Sequence, residues 1–533
     1  MDTHCNYLPY HQTNSFSKIV LDYISGDDRL KPFYAHPVSL DGVKAAIEAR
    51  KGFKTERKVL VDELRTQYQG YELTKLQEDN LTNLLTENTF TVVTAHQPNI
   101  FTGHLYFIYK ILHTIRLCES FKKEIPENNY VPVFYMGSED ADLDELGHIN
   151  VAGEKLEWET KQTGAVGRMD TKGLETIIER LKGEFGNQPF GDEMVNLITK
   201  AYTTHSNIQT ATFYLVNELF KNYGLLVLIP DNANLKRLFN GIVKKELTET
   251  FSHRLVEQTI SKLGEHYKVQ AGGRDINLFY LNDEGQRERI EKIHSKYVVA
   301  NLDLSFTEEE ILSELEAHPE RFSANVILRG VFQEMILPNI AFVGGGGELA
   351  YWLELKAIFE ELKVPYPMLI LRNSFLIMEA KDKRLVEKLS LTFPQLFLSE
   401  MEQDNLLTKQ ESKNKLALFD EQQQVNQLYG QMQYLAAAVD PSLQAHVAAL
   451  HTRALQDIDG LEKKMLRSEK RKFSDRNRQL HTLRSRLFPN NSLQERVDNF
   501  MPLYAKYGKE LINIIYQYSL SLESNFGIIE LKN

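Results

Sequence analysis

Three short stretches concentrate the side chains of this chain that can do chemistry. The first holds His96 and Gln97, then Thr102, Gly103 and His104, and two imidazoles can steady an anion or move a proton. The second runs Gly137, Ser138, Glu139 and Asp140 on to Asp142, Asp144 and Glu145. Such an acidic cluster can bind an ammonium group, hold a metal or act as a base. The third is Gly344, Gly345, Gly346, Gly347 and Glu348, where glycines leave N–H groups unshielded and let a ligand approach the backbone. Each has a plainer reading: histidines at the surface of an ordinary turn, carboxylates capping a solvated helix, or a flexible loop. None is the GxGxxG dinucleotide fingerprint or the Gly-Lys-Ser/Thr of a Walker A loop.

The flanking residues place these stretches in similar settings. Phe90 to Thr94 is a β-branched and aromatic run that predicts a buried strand. Leu105, Ile108, Leu112 and Ile115 then fall on one helix face. The first stretch is therefore a polar turn feeding a helix N-terminus, whose free N–H groups favour phosphate or carboxylate. Val131 to Met136 predicts a second strand, opening into the acidic stretch, and Leu225 to Ile229 a third with Asp231 at its exit. Ala341 to Val343 ends a strand that opens into the glycines, and Glu348 starts a helix with an inner face of Leu349, Trp352, Leu353 and Ile358 or Phe359. A flexible linker would not stand between a strand and so patterned a helix. Met368 to Leu371 reads as the next strand, with Arg372, Asn373 and Ser374 at its exit. Together these units predict an α/β protein whose polar exits lie along one edge of a parallel sheet.

The remainder of the chain reads differently. Residues 1 to about 88 read as helical, 151 to 220 as an insertion of short strands and helices, and 270 to 290 as strand, turn and strand. After about 400 the chain is rich in Gln, Lys, Glu, Arg and Leu. Val425, Leu428, Met432, Leu435 and Val439 step by three and four, Asp440-Pro441 breaks the run, and Leu443 to Met465 resume it. That predicts an antiparallel coiled-coil hairpin. The 533 residues carry a net charge of −11, which argues against broad nucleic-acid binding. No apolar run approaches the roughly 18 residues of a membrane helix, and the first residues lack a signal-peptide pattern. Only Cys5 and Cys118 are present, so no cysteine-rich zinc pattern exists and a reducing cytoplasm is the expected location.

Six motifs, in order along nearly the whole chain, resemble the family of the cysteine-adding enzyme of bacillithiol biosynthesis. They are Gln97…Phe101-Thr102-Gly103…Leu105-Tyr106, Ser138-Glu139-Asp140…Asp142, Asn277-Leu278-Phe279 and Leu337-Pro338, then Val343-Gly344-Gly345…Gly347-Glu348-Leu349-Ala350-Tyr351-Trp352, and Leu487-Phe488-Pro489…Leu493-Gln494-Glu495-Arg496. The resemblance implies a Rossmann-type core akin to class I aminoacyl-tRNA synthetases, with insertions, and a coiled-coil domain supporting a homodimer. It implies a ligase joining cysteine to the amine of glucosaminyl-malate, with ATP and Mg²⁺ as the expected activating agents. The chain departs from the family pattern at Ala95-His96-Gln97, where Gly-Gln-Gln is usual, and at His104 and Gly346, where proline is usual. It departs again at Ala141, where histidine is usual. Relocated acid–base chemistry or a changed substrate would each account for this.

The expected organisation is a catalytic core over 1–400, with insertions at about 151–220 and 240–325, a coiled-coil hairpin over 401–488, and a segment over 489–533 returning to the core. Catalysis is expected at His96, His104, Glu139, Asp140 and Asp142. Thr102, Gly103 and His104 are expected to hold phosphate, and Glu139, Asp140 and Asp142 the attacking amine. Gln97, Ser138, Gly344 to Gly347, Glu348, Tyr351 and Trp352 complete the expected binding set. The rivals are a ligase with another amino acid or acceptor, and a non-catalytic metabolite-binding adaptor.

Overall fold

Five strands of largely apolar sequence form the central sheet: β1 (Thr89–His96), β2 (Asn129–Met136), β3 (Leu226–Leu228), β4 (Asn339–Gly344) and β5 (Met368–Leu371). All neighbours pair parallel, in the spatial order β5-β4-β1-β2-β3. The computed structural model describes residues 3–270 and 272–531, so Ala271, inside the stretch expected as strand, turn and strand, lies outside them. Covered on both faces, β1 is buried continuously from Thr89 to Thr94 rather than at alternate residues. Its Val92 and Val93 enter different apolar clusters, one on each side of the sheet. The strand ends are level: His96 pairs with Met136, Val343 with Thr94, and Gly344 with Leu371. The polar exits therefore line up on one edge, as the sequence predicts.

Helix α1 (Tyr106–Glu124) connects β1 to β2 and buries Leu105 beside its start, then Ile108, Leu112 and Ile115. Helix α2 (Ile208–Phe220) lies inside the stretch expected to be an insertion, yet ten of its residues are buried and it leads into β3. The insertion reading fails there because an all-round apolar helix belongs to a core. Helix α3 (Val326–Ile336) precedes β4, and α4 (Gly346–Trp352) follows it. The helix expected from Glu348 onward begins two residues earlier and ends at Trp352, and a separate helix, Lys356–Leu362, carries Ile358 and Phe359.

The N-terminal region is not wholly helical. Thr3–Pro9 pairs antiparallel with Asn525–Leu531, which pairs parallel with Ser374–Glu379. That strand depends on a partner at the far end of the chain, which local periodicity cannot reveal. The helical arm consists of α5 (Phe419–Val439) and α6 (Leu443–Lys470), and the Asp440 carboxylate accepts the Ser442 N–H at 2.8 Å in the turn. No residue of α5 is buried, and Leu435 and Val439 are 64% and 83% exposed. The apolar stripe is thus only partly covered by the hairpin itself.

Candidate functional site

In the order β5-β4-β1-β2-β3 the chain reverses direction across the sheet between β1 and β4, and open α/β sheets bind ligands at such a switch point. A cavity of about 420 Å³ lies there. It is lined by Ala95, His96 and Gln97 from the end of β1, Gly137 and Asp140 beyond β2, and Gly345 to Glu348 beyond β4. Tyr351 and Trp352 of α4, Arg329 of α3, Tyr106, Glu145, Arg372 and Arg496 also reach it.

His96 sits at the strand end, with its ring 5.5 Å from that of Tyr106 and 5.6 Å from that of Phe107. Its Nε2 is buried without a hydrogen-bond partner among the described residues. Burial, followed by the positive charges of Lys110, Arg372 and Arg329 and by His104, holds its pKa well below the usual histidine range. The imidazole is neutral at pH 7 and free to take a proton or a hydrogen bond. Asp140 accepts from Gln97 Nε2 at 3.1 Å and lies 3.6 Å from Arg329. Burial alone would raise its pKa, but Arg329, Arg287 and the Gln97 amide outweigh it and keep the carboxylate ionised. Glu348 lines the cavity while accepting the Gly345 N–H at 2.8 Å and both contacts of the Lys110 ammonium at 2.7 and 2.9 Å.

The cavity gathers His96, Gln97, Asp140, Gly345 to Gly347, Glu348, Tyr351 and Trp352 of the expected set. Trp352 is itself core, 4.7 Å from the Phe342 ring, and presents only part of its surface to the cavity. Gly344 ends β4 and is not on the lining, and Gly346 stands where an added Cβ would lie 3.0 Å from Val20. Two of the four glycines belong to α4, so the stretch is a strand end and helix start rather than an open loop.

The expected phosphate-holding turn faces inward. Phe101 and Thr102 have left-handed φ values of 49° and 67°, Thr102 is buried, and an added Cβ on Gly103 would meet Asn99 at 2.8 Å. Asn499 donates to the carbonyls of Phe101 and Gly103 at 2.9 and 2.5 Å, and Tyr202 Oη accepts from the Phe101 N–H. The Leu105 N–H donates to the Asp498 carbonyl at 2.7 Å, and His104 Nδ1 lies 3.2 Å from the Val497 carbonyl. The Leu105 N–H is therefore not offered to an anion, and Thr102, Gly103 and His104, expected to hold phosphate, are not on the lining of the cavity. Glu139 is likewise turned aside: its Oε1 is 2.5 Å from Lys236, which also pairs with Asp231 at 3.0 Å. Asp142 caps a short helix by accepting the Glu145 N–H, and Ser138 is buried under Gly167, whose N–H donates to its carbonyl. Of the acidic trio expected to hold an amine, only Asp140 reaches the cavity.

Sequence reasoning missed Lys110, Arg329 and the cavity roles of Arg372 and Arg496. Lys110 and Arg329 are single cations inside apolar helical runs, and a charge at such a position requires a buried partner. That signal was available. Arg496 arrives from beyond the coiled coil, which nothing local announces. Among the described residues no group of three or more His, Cys, Asp or Glu gathers to hold a metal ion, and no helix is long and apolar enough to cross a membrane.

Sheet order, cavity and arm define a Rossmann-type α/β protein with a cavity at its switch point and an appended coiled coil. Residues 1–373 match the model of the N-terminal Rossmann-like domain of bacillithiol biosynthesis BshC, and residues 375–531 match that of its C-terminal coiled-coil domain. The chain therefore belongs to the BshC family. It is 40% identical to a Flavobacterium psychrophilum protein named "Putative cysteine ligase BshC", over 99% of this chain and 100% of the relative. Proteins of the same name from Flavobacterium johnsoniae and Cytophaga hutchinsonii are 39% and 35% identical, covering 99% and 95% of this chain and 100% and 95% of the relatives. A solved structure titled as a putative arginyl t-RNA synthetase from Campylobacter jejuni aligns over 84% of this chain and 98% of that one. Its 10% identity and TM-score of 0.23 are too low to bear on the fold.

Proposed function

We propose that this protein is an amide-forming ligase that joins L-cysteine to the amine of glucosaminyl-malate, the last step of bacillithiol synthesis, in the cytoplasm. One observation carries this reading: a single cavity is lined by carboxylates (Asp140, Glu348), guanidiniums (Arg329, Arg372, Arg496) and a neutral, unpartnered imidazole (His96). The carboxylates suit an ammonium group and the guanidiniums suit phosphate or carboxylate. In this reading ATP activates the cysteine carboxyl, the acceptor amine attacks it, the C–N bond forms as the phosphate-bearing group leaves, and His96 takes the amine proton. Asp140 and Glu348 are held by Gln97, Arg329 and Lys110, so Mg²⁺ would arrive with the phosphates, and Glu145 is the lining carboxylate that has no ion-pair partner among the described residues. The partly covered stripe of α5 and α6 supports a homodimer formed through the arm.

The test is a product assay by mass spectrometry, with glucosaminyl-malate, ATP, Mg²⁺ and all twenty amino acids in competition. A cysteinyl adduct that disappears in His96→Ala supports the reading. A different aminoacyl adduct keeps the ligase and replaces its substrate. No adduct with ATP unspent overturns it in favour of a metabolite-binding adaptor.

A further inference from the structure

One face of α3 forms a wall of the cavity. Val326, Arg329, Gly330 and Gln333 all line it, at spacings that place them on the same side of a helix. Gln333 is buried, and its amide is fixed from behind. Its Nε2 donates to Glu334 Oε1 at 2.9 Å, an oxygen that also accepts from Asn339 Nδ2 at 2.7 Å. Arg50 Nη2 donates to Glu334 Oε2 at 2.6 Å, and Arg50 also grips the carbonyls of Glu334 and Asn339 at 2.7 and 2.8 Å. A carboxylate paired in this way only accepts, so it takes the NH₂ end of the Gln333 amide. The amide oxygen is then what Gln333 has left for the cavity, and it accepts no hydrogen bond among the described residues.

Beside that oxygen the wall is apolar and firm. Gly330 sits inside a helix, where glycine costs stability relative to alanine. A Cβ there would meet the Trp352 ring at 3.0 and 3.1 Å, so the glycine lets the indole lie against the helix backbone. The indole has little room to retreat, because the rings of Phe342, Phe359 and Tyr366 stand 4.7, 5.7 and 5.8 Å from it. Its Nε1 is buried without a hydrogen-bond partner among the described residues. The wall thus combines a neutral acceptor and a neutral donor with Val326, Phe342 and the indole itself. A thiol suits it, being small, apolar in its packing, and both a weak donor and a weak acceptor. A hydroxyl of similar size gives up more hydration on entering such a place.

We propose that this wall of α3 receives the side chain of the amino-acid substrate, with Gln333 Oε1 accepting from its thiol, and that Gln333 thereby selects cysteine over side chains of equal size that lack a donor. This rests on the ligase reading above and adds which residue reads the amino acid. Glu334 and Arg50 are positioning residues, since they hold the amide in the orientation that leaves its oxygen to the cavity. Gly330 and Trp352 limit the space beside it.

Two measurements on the full-length protein test this, each beside thermal unfolding of the variants. The first is steady-state turnover with cysteine, with its thiol-free isostere 2-aminobutyrate and with alanine, for wild type, Gln333→Met and Gly330→Ala. The second is calorimetric binding of cysteine, and separately of ATP, to the same proteins. Gln333→Met is expected to cut the preference for cysteine over 2-aminobutyrate in kcat/KM about tenfold, to weaken cysteine binding by a similar factor, and to leave ATP binding within about twofold. Gly330→Ala, which narrows the wall with a residue favoured in helices, is expected to shift preference from cysteine toward alanine. Adduct formation with undiminished cysteine preference in Gln333→Met would overturn the proposal and leave the ligase reading standing. A loss confined to ATP would overturn it as well, and would assign Gln333 to the nucleotide. Gln333-dependent cysteine binding without any adduct from wild type would keep the thiol site and overturn the ligase reading. If Gln333→Met does not fold, Gly330→Ala decides, and an unchanged ranking of cysteine and alanine would overturn the proposal.

Discussion

The Lys110 ammonium and the Glu348 carboxylate meet beneath the cavity, 2.7 Å apart, joining the helix that follows β1 to the helix that follows β4 across the point where the sheet reverses. Lys110 also donates to the Ala95 carbonyl at 2.5 Å and has a side chain only 1% exposed, whereas Glu348 is 26% exposed toward the cavity. The lysine thus fixes the carboxylate that a ligand would meet. Removing one member of a buried pair leaves an uncompensated charge, at a cost of about 3 kcal/mol. Lys110→Met should therefore lower unfolding stability by roughly that amount. The double variant Lys110→Met/Glu348→Gln should recover part of it without recovering turnover. Urea unfolding and kcat/KM measured side by side check both halves.

His96 and His104 separate in role. His96→Ala should reduce kcat on the order of 10²–10⁴-fold at neutral pH, the range of a lost general base. His104, engaged with the Val497 carbonyl, should cost under about tenfold when replaced by Ala, since a neutral hydrogen bond contributes only about 1 kcal/mol. Because the folded pKa of His96 lies below its unfolded value near 6.5, the unfolded chain binds the extra proton and stability falls as pH drops below that value. Equal losses in the two variants would refute the assignment.

Glu139 and Asp140, adjacent in sequence, face different surroundings. Asp140→Asn should raise KM for the amine-bearing substrate about tenfold. Glu139→Gln should leave that KM within a factor of about two and lower the melting temperature by a few degrees, because it breaks the Lys236 pair. Kinetics and thermal unfolding of both variants distinguish the roles.

Asp498 supplies a pH test of stability. Burial raises its carboxyl pKa to about 7, with no compensating cation. An acid with a raised folded pKa binds its proton more tightly when folded, so its contribution is fully present below the unfolded pKa near 3.9 and is lost as pH rises through about 7. Asp498→Asn should flatten that decline and be more stable than wild type at pH 8, by on the order of 1–2 kcal/mol. Denaturant curves at pH 5 and pH 8 measure it, and identical pH slopes would contradict it.

The exposed stripe of the arm carries the last test. Leu435→Glu with Val439→Glu should convert a dimer into a monomer in light scattering after size exclusion, without lowering the melting temperature of the sheet domain. A wild type that is monomeric at micromolar concentration would remove the dimer from the proposed function.

The sequence by itself determined the five strands of the central sheet, the helix that follows β1 and the coiled-coil hairpin, because each announces itself within a dozen or so residues. It also pointed to His96, Asp140 and Gly345 to Gly347, which gather on one cavity, since polar residues at the exits of buried parallel strands have only one edge of the sheet to occupy. What it could not determine is which neighbouring polar residues face the cavity. Glu139 and Asp140 look alike in sequence, and only the position of Lys236, nearly a hundred residues later, draws Glu139 away. The Thr102–His104 turn reads as an open anion site until Asn499 and the Asp498 carbonyl close it. The same C-terminal segment brings Arg496 to the cavity. Local sequence sets backbone conformation, but side-chain direction depends on partners distant along the chain. Those partners are decided only when the tertiary structure brings them together.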